Sequence, residues 1–177
     1  MRKITVLFAA AAMMILVTSC GTTTVTNKPV KGGTAAPKVG KAKVGDTLSI
    51  AGNDSKLEVT LVATKRLAPL SQYGMQIHPA EYGVELRVRC VSGKVYDDSI
   101  TNCVALIDRQ DESHDPDFDV QGPSDGALAG QLDSVKIAPG DVRAGWIYFP
   151  IKPSVKPRIL QFTANSGFAD QVGEWSL

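Results

Sequence analysis

Apolar and polar residues alternate along several short stretches of this chain. Leu57, Val59, Leu61 and Ala63 are interleaved with Glu58, Thr60 and Thr64. Val84, Leu86, Val88 and Cys90 are interleaved with Glu85, Arg87 and Arg89. A period of two places one set on each face of a strand, so both stretches predict half-buried strands. Further strands are predicted at Thr47–Ala51, 99–108, 132–138, 142–151, 158–163 and Val172–Ser176, with Pro139-Gly140-Asp141 as a tight turn between two of them. No stretch carries a helical period. Seven to nine short strands separated by turn signals predict an all-β sandwich of antiparallel strands. The segments 68–80 and 108–128 are too long for hairpin turns and are predicted as loops, where function is expected if it lies on loops.

The first residues follow a different pattern. Arg2 and Lys3 precede an apolar run from Ile4 to Val17, which is shorter than the ~20 residues of a spanning helix and fits the core of a secretory signal. The run ends in Val17-Thr18-Ser19-Cys20. This resembles the lipobox of bacterial lipoproteins: a branched apolar residue, two small residues and a cysteine. The resemblance implies cleavage before Cys20 and a diacylglycerol on its thiol, with palmitate-like acyl chains. Each buried methylene contributes about 0.8 kcal/mol, so two or more chains hold a protein at a membrane surface. The expected layout is a signal peptide over 1–19, lipidated Cys20 with a flexible tether over 20–43, and a sandwich domain over 44–177. The expected location is the extracytoplasmic face of the cell membrane.

Residues 21–43 hold Gly, Thr, Pro, Ala and Lys and almost no large apolar side chain. Such a segment buries too little to offset its ordering entropy. As a flexible coil it would span about 25–30 Å. Lys28, Lys31, Lys38, Lys41 and Lys43 stand there without an acidic neighbour. They either attract an anionic lipid or wall polymer or keep the segment soluble.

The chain of 177 residues has a net charge of +1. That balance argues against a nucleic-acid partner, which needs a strong positive field on the folded part.

Val44-Gly45-Asp46-Thr47, the strand EYGVELRVRC, the stretch NCVALIDRQD, the sequence Ile137-Ala138-Pro139-Gly140-Asp141, the strand GWIYFPI and the closing PRILQFTA together resemble the immunoglobulin-like lipoprotein domain of Gram-positive bacteria, a domain of unknown function. That family is similar in fold to a secreted mycobacterial immunoprotective antigen. The resemblance covers most of 44–177 and implies an immunoglobulin-like β-sandwich. It implies no catalytic residue.

Export favours oxidation, so Cys90 and Cys103 are expected to form a disulfide, contributing about 3 kcal/mol through chain entropy. Cys103 is out of phase with Val104 and Leu106, and two free thiols or a metal pair are the alternatives. In GWIYFPI, Ile147, Phe149 and Ile151 on the core side would point Trp146 and Tyr148 outward as partner-binding aromatics. The opposite register would bury Trp146.

The loop DRQDESHDPDFD crowds Asp108, Asp111, Glu112, Asp115, Asp117 and Asp119 around His114. Asp111, Asp115, Asp117 and Asp119 are weak candidates for calcium, which prefers several carboxylate oxygens. The spacing fails as an EF-hand, since Val120 and Gly126 stand where glycine and glutamate are required. A solvated acidic loop is the simpler reading. Ser113-His114-Asp115 are adjacent in sequence, whereas triad members converge from separate elements, and no phosphate-binding glycine loop occurs. The expectation is a non-catalytic binding or interaction module of the cell envelope, anchored in lipid through Cys20. An envelope protein or a wall polymer is its expected partner, and no cofactor is expected. The alternative is a calcium- or small-ligand-binding lipoprotein using residues 108–119.

Overall fold

The computed structural model describes residues 23–24, 42–73, 75–78, 81–117 and 130–177. The strands in chain order are β1 (Thr23–Thr24), β2 (Ala42–Lys43), β3 (Thr47–Ala51), β4 (Ser55–Leu67), β5 (Leu70–Gln72), β6 (Met75–His78) and β7 (Glu81–Gly93). There follow β8 (Tyr96–Ser99), β9 (Val104–Asp108), β10 (Ser113–His114), β11 (Ser134–Ile137), β12 (Val142–Phe149), β13 (Pro157–Thr163) and β14 (Val172–Ser176). A 3-10 turn, Ile100–Cys103, joins β8 to β9. Two five-stranded sheets, β1-β3-β4-β7-β12 and β10-β9-β13-β14-β2, are accompanied by the two-stranded pairs β8-β11 and β5-β6. The architecture is the immunoglobulin-like sandwich, with more strands than the seven to nine expected because several are only two to four residues long. Among the described residues no helix is long and apolar enough to cross a membrane.

The two clearest alternating stretches pair with each other. Leu57 opposes Cys90, Val59 opposes Val88 and Leu61 opposes Leu86, and all six are fully buried. The register then shifts between Leu61 and Ala63. A bulge inserts one residue and turns the following side chains to the other face. Beyond it Thr64 opposes the core residue Val84, while Ala63 and Lys65 oppose Glu85 and Gly83 on the outer face. Ala63 therefore leaves the core face that its sequence spacing predicts, and Lys65 arrives beside β12.

The second sheet closes the core with Leu106, Leu160, Phe162 and Trp175. Gly173 lets the sheets approach closely: a Cβ at this position would lie 2.6 Å from Ile50 Cδ1 of the facing sheet, which would have to shift. The Pro139–Gly140 turn forms as predicted, with Gly140 at φ 95° and its N–H on Cys90 O at 2.7 Å.

Two pieces of the stretch read as a tether lie in the sandwich. Thr23–Thr24 run parallel to β3, and Ala42–Lys43 run parallel to β14 with Ala42 buried. The rest of 20–43, including Cys20, lies outside the described residues.

The two ends of the sandwich differ. At one, Gly45 N–H bonds Leu61 O, Trp175 Nε1 donates to Asp46 O, and Arg66 reaches Lys152 O and Val155 O. At the other, Asn165, Ser166 and Gly167 form a left-handed turn, and Asn165 Oδ1 accepts from Asn53 N.

Candidate functional site

Asp108 ends β9 on the face that also carries Leu106. His114 opposes Leu106 across the β9–β10 hairpin, which makes it a diagonal neighbour of Asp108 on that face. The Asp108 carboxylate is 1 % exposed. Its Oδ1 accepts from Gln110 N at 2.8 Å and Glu112 N at 3.0 Å, and its Oδ2 lies 3.0 Å from His114 Nε2. The His114 hydrogen bond, joined by the two backbone N–H groups, holds the Asp108 carboxyl below the usual carboxylate range against the opposing effect of desolvation. One donor atom each from Asp108, Glu112 and His114 lie within 4.8 Å of one another. A buried carboxylate, an exposed carboxylate and an imidazole at this spacing fit three ligands of a divalent ion.

The calcium candidates are not assembled in this way. Asp111 sits at φ 65° and pairs with Arg158 Nη2. Asp115 lines a shallow groove of about 430 Å³ with Thr101, Asn102, Pro116, Ser166 and Phe168. Asp117 donates its backbone N–H to Tyr148 O. Asp119 lies outside the described residues. The gathering of Asp108, Glu112 and His114 replaces the Asp111–Asp115–Asp117 grouping, because the hairpin folds 108–114 back on itself while Asp115 and Asp117 run on along the surface. His114 is engaged by Asp108 and not by Ser113 or Asp115. The side chain of His78, in β6, is not among those described.

The expected Cys90–Cys103 disulfide is absent: both are buried free thiols. The 3-10 turn gives the reason. It interrupts the strand predicted over 99–108 and turns Cys103 toward β8, while Val104 and Leu106 take the core positions of β9. Cys90 Sγ lies 3.5 Å from Lys94 O. Cys103 Sγ lies 3.1 Å from Asp98 Oδ2 and 3.5 Å from the Tyr96 hydroxyl. Burial, reinforced by Asp98 and only partly opposed by the Tyr96 hydrogen bond, pushes the Cys103 thiol up to about 12, so it is a poor nucleophile at neutral pH. Thiol titration is expected to find almost no reaction in the folded domain and two reactive groups, Cys90 and Cys103, in denaturant. A domain with no thiols in denaturant and a mass two hydrogens lighter would restore the disulfide.

Asp98, half-buried, is the hub of this network. It accepts from the Tyr96 hydroxyl at 2.7 Å, Ser99 N at 2.9 Å, Ser166 N at 2.9 Å and Ser166 Oγ at 2.6 Å. Desolvation pushes its carboxyl up, but the hydrogen bonds from Ser166, Tyr96 and Cys103 outweigh it and hold the carboxyl below its ordinary value. Burial first, then Cys103 and Asp98, push the Tyr96 hydroxyl far upward, so it stays protonated and donates. No sequence motif announces this arrangement, because Ser166 comes from a turn 68 residues away from Asp98.

Ile147 and Phe149 face the core as expected, and Trp146 and Tyr148 lie on the opposite face. Tyr148 is nevertheless fully buried, which corrects the expectation of an exposed pair. Its hydroxyl has no hydrogen-bond partner among the described residues. Gly83 beneath the ring lets it lie close to the sheet, since a Cβ there would meet Tyr148 Cε1 at 3.0 Å. Lys65 Nζ, delivered to this face by the bulge, stands 4.0 Å from the Trp146 ring centre and 5.2 Å from that of Tyr148. Trp146 is half-buried.

The fold and these sites define an all-β domain of the immunoglobulin-like class with a small carboxylate–imidazole corner. No family model matches the chain, and no curated protein matches it in sequence. Solved structures that share the fold include two bacterial proteins. A secreted protein from Mycobacterium tuberculosis, MPT63, superposes with a TM-score of 0.57 at 14% identity, covering 81% of this chain and all of that one. The yjhA protein from Bacillus subtilis superposes with a TM-score of 0.54 at 16% identity, covering 77% of this chain and 98% of its own. The likeness to a secreted mycobacterial protein expected from the sequence is thus met at the level of fold.

Proposed function

We propose that this chain is a lipid-anchored, non-catalytic binding domain of the cell envelope, and that the ligand its geometry fits best is a divalent metal ion at Asp108, Glu112 and His114. The observation that carries the metal reading is the approach of three donor atoms within 4.8 Å on a hairpin whose inner carboxylate is already fixed by two backbone N–H groups. An imidazole among the ligands favours zinc, nickel or cobalt over calcium, which takes oxygen alone. With three protein ligands, water completes the coordination. The anchor reading rests on the lipobox at Val17–Cys20.

Titration calorimetry of the purified domain tests the metal reading. Zinc is expected to bind at one site and calcium to give no comparable heat. His114→Ala is expected to weaken zinc binding more than about tenfold, and binding is expected to fade on acidification because the ligands must be deprotonated. Zinc heats unchanged in His114→Ala would remove the site.

A second reading is a protein or wall-polymer partner docked at Trp146. The half-buried ring beside Lys65 favours it. Loss of partner capture in Trp146→Ala, with the fold intact by circular dichroism, would support this reading.

A further inference from the structure

We propose that the groove beside Phe168, at the end of the sandwich where β13 turns into β14, binds a neutral sugar unit of a glycan chain. It shares no residue with the metal corner or the Trp146 face and depends on neither. Three segments enclose it: the 3-10 turn with Thr101 and Asn102, the stretch after β10 with Asp115 and Pro116, and the turn with Ser166 and Phe168. Sheet pairing brings them together. Phe162 opposes Val104 and His114 opposes Leu106, so the chain leaving β13 and the chain leaving β10 both arrive where β9 begins. The space measures about 430 Å³, within the range of small-ligand sites.

A lone exposed apolar side chain is ordinary on a protein surface; the setting of Phe168 is not. Phe168 is 85 % exposed, yet its backbone is pinned. Asn165 and Ser166 precede it at φ 59° and 51°, a conformation that residues with a side chain seldom hold and that gathers at ligand sites. Asp98 holds Ser166 by two hydrogen bonds, Asn53 N–H holds the Asn165 side chain, and Phe168 N–H closes on Asn165 O at 3.0 Å. A ring presented on a pre-formed turn costs a ligand little ordering. The groove beside it offers polar groups that nothing else uses. Asn102 and Asp115 are exposed and have no hydrogen-bond or ionic partner among the described residues. An amide supplies donors and an acceptor, and a carboxylate supplies acceptors. Neighbouring sugar hydroxyls pair with both, while the C–H face of a pyranose packs against the negative face of an aromatic ring. No lysine or arginine lines the groove, and the charge on it is that of Asp115. An anionic ligand is repelled there and a neutral polyhydroxyl one is not.

The test titrates nitrogen-15-labelled full-length protein with chitotriose, cellotriose and maltotriose, following the amide resonances. At least one of the three is expected to shift the amides of 101–104, 115–116 and 166–168 saturably, with a dissociation constant of about 1 mM, as suits a groove that covers one side of its ligand. Phe168→Ala is expected to weaken that binding about tenfold and Phe168→Trp to keep it, with thermal unfolding unchanged in both. Asn102→Ala is expected to weaken it as well. The absence of a saturable shift with all three sugars at about 10 mM overturns the proposal. So does binding that survives Phe168→Ala and is lost in Trp146→Ala, which moves the sugar to the sheet face. Sugar-free protein that sediments as a dimer, and as a monomer in Phe168→Ala, would make the ring a contact between copies and overturn the sugar site.

Discussion

Replacing Trp175 by alanine is expected to destabilise the domain by about 3–5 kcal/mol. Trp175 is fully buried and is the largest side chain in the core. It lies in the core beside Leu160 of β13 and Ala42 of β2, so its loss opens a cavity between the two sheets. Its Nε1 also donates to Asp46 O at 3.0 Å, and removing it leaves that carbonyl without this donor at the turn before β3. Trp175→Phe separates the two effects: most of the ring volume returns and the hydrogen bond does not, so about 1–2 kcal/mol is expected. Urea unfolding followed by far-ultraviolet circular dichroism measures both. A loss under about 1 kcal/mol in Trp175→Ala would mean that the second sheet is not packed as described.

Asp98→Asn is expected to cost about 2–3 kcal/mol at neutral pH. The side chain keeps its shape but offers one acceptor oxygen where two serve Tyr96, Ser99, Ser166 and Cys103. Its amide hydrogens then face donors. The effect reaches beyond the site, since Asp98 pins the left-handed Asn165–Ser166–Gly167 turn onto β8. The pH dependence has a definite sign. The folded carboxyl is held below its ordinary value, so its contribution is present above the ordinary carboxylate range and is lost as pH falls through the depressed folded value. The gap between wild type and Asp98→Asn is therefore expected to be full at about pH 7 and to shrink below about pH 4. A gap that stayed constant into strong acid would show that the charge of Asp98 is not what holds the turn.

Much of the fold is legible in the chain itself. β3 and β14 fall on the residues their patterns predict, and β7 keeps the Val84–Cys90 alternation until a bulge at Val91 breaks it. The bulge after Leu61 is not legible: Val62 and Ala63 continue an apolar run, and only the register against β7 shows that Lys65 has crossed to the outer face. The break at Ile100–Cys103 is hidden in the same way, because Ile, Thr and Cys all suit strands and the Asp98–Ser166 contacts beside it join residues 68 apart in sequence. Tyr148 illustrates a third limit. Alternation fixes its face, but what covers that face is a tertiary matter. At the hairpin, the residue types were visible and the grouping was not. Asp108 and His114 meet because one stands at the end of β9 and the other opposite Leu106, a relation that acidic spacing alone does not encode.

The proposed display of this sandwich at a membrane by Cys20 is tested most directly by the mass of the N-terminal peptide of the mature protein recovered from the membranes of expressing bacteria. A peptide that begins at Cys20 and carries a diacylglyceryl group is the predicted result. A peptide that retains residues before Cys20, or begins elsewhere with no lipid, would contradict the anchor.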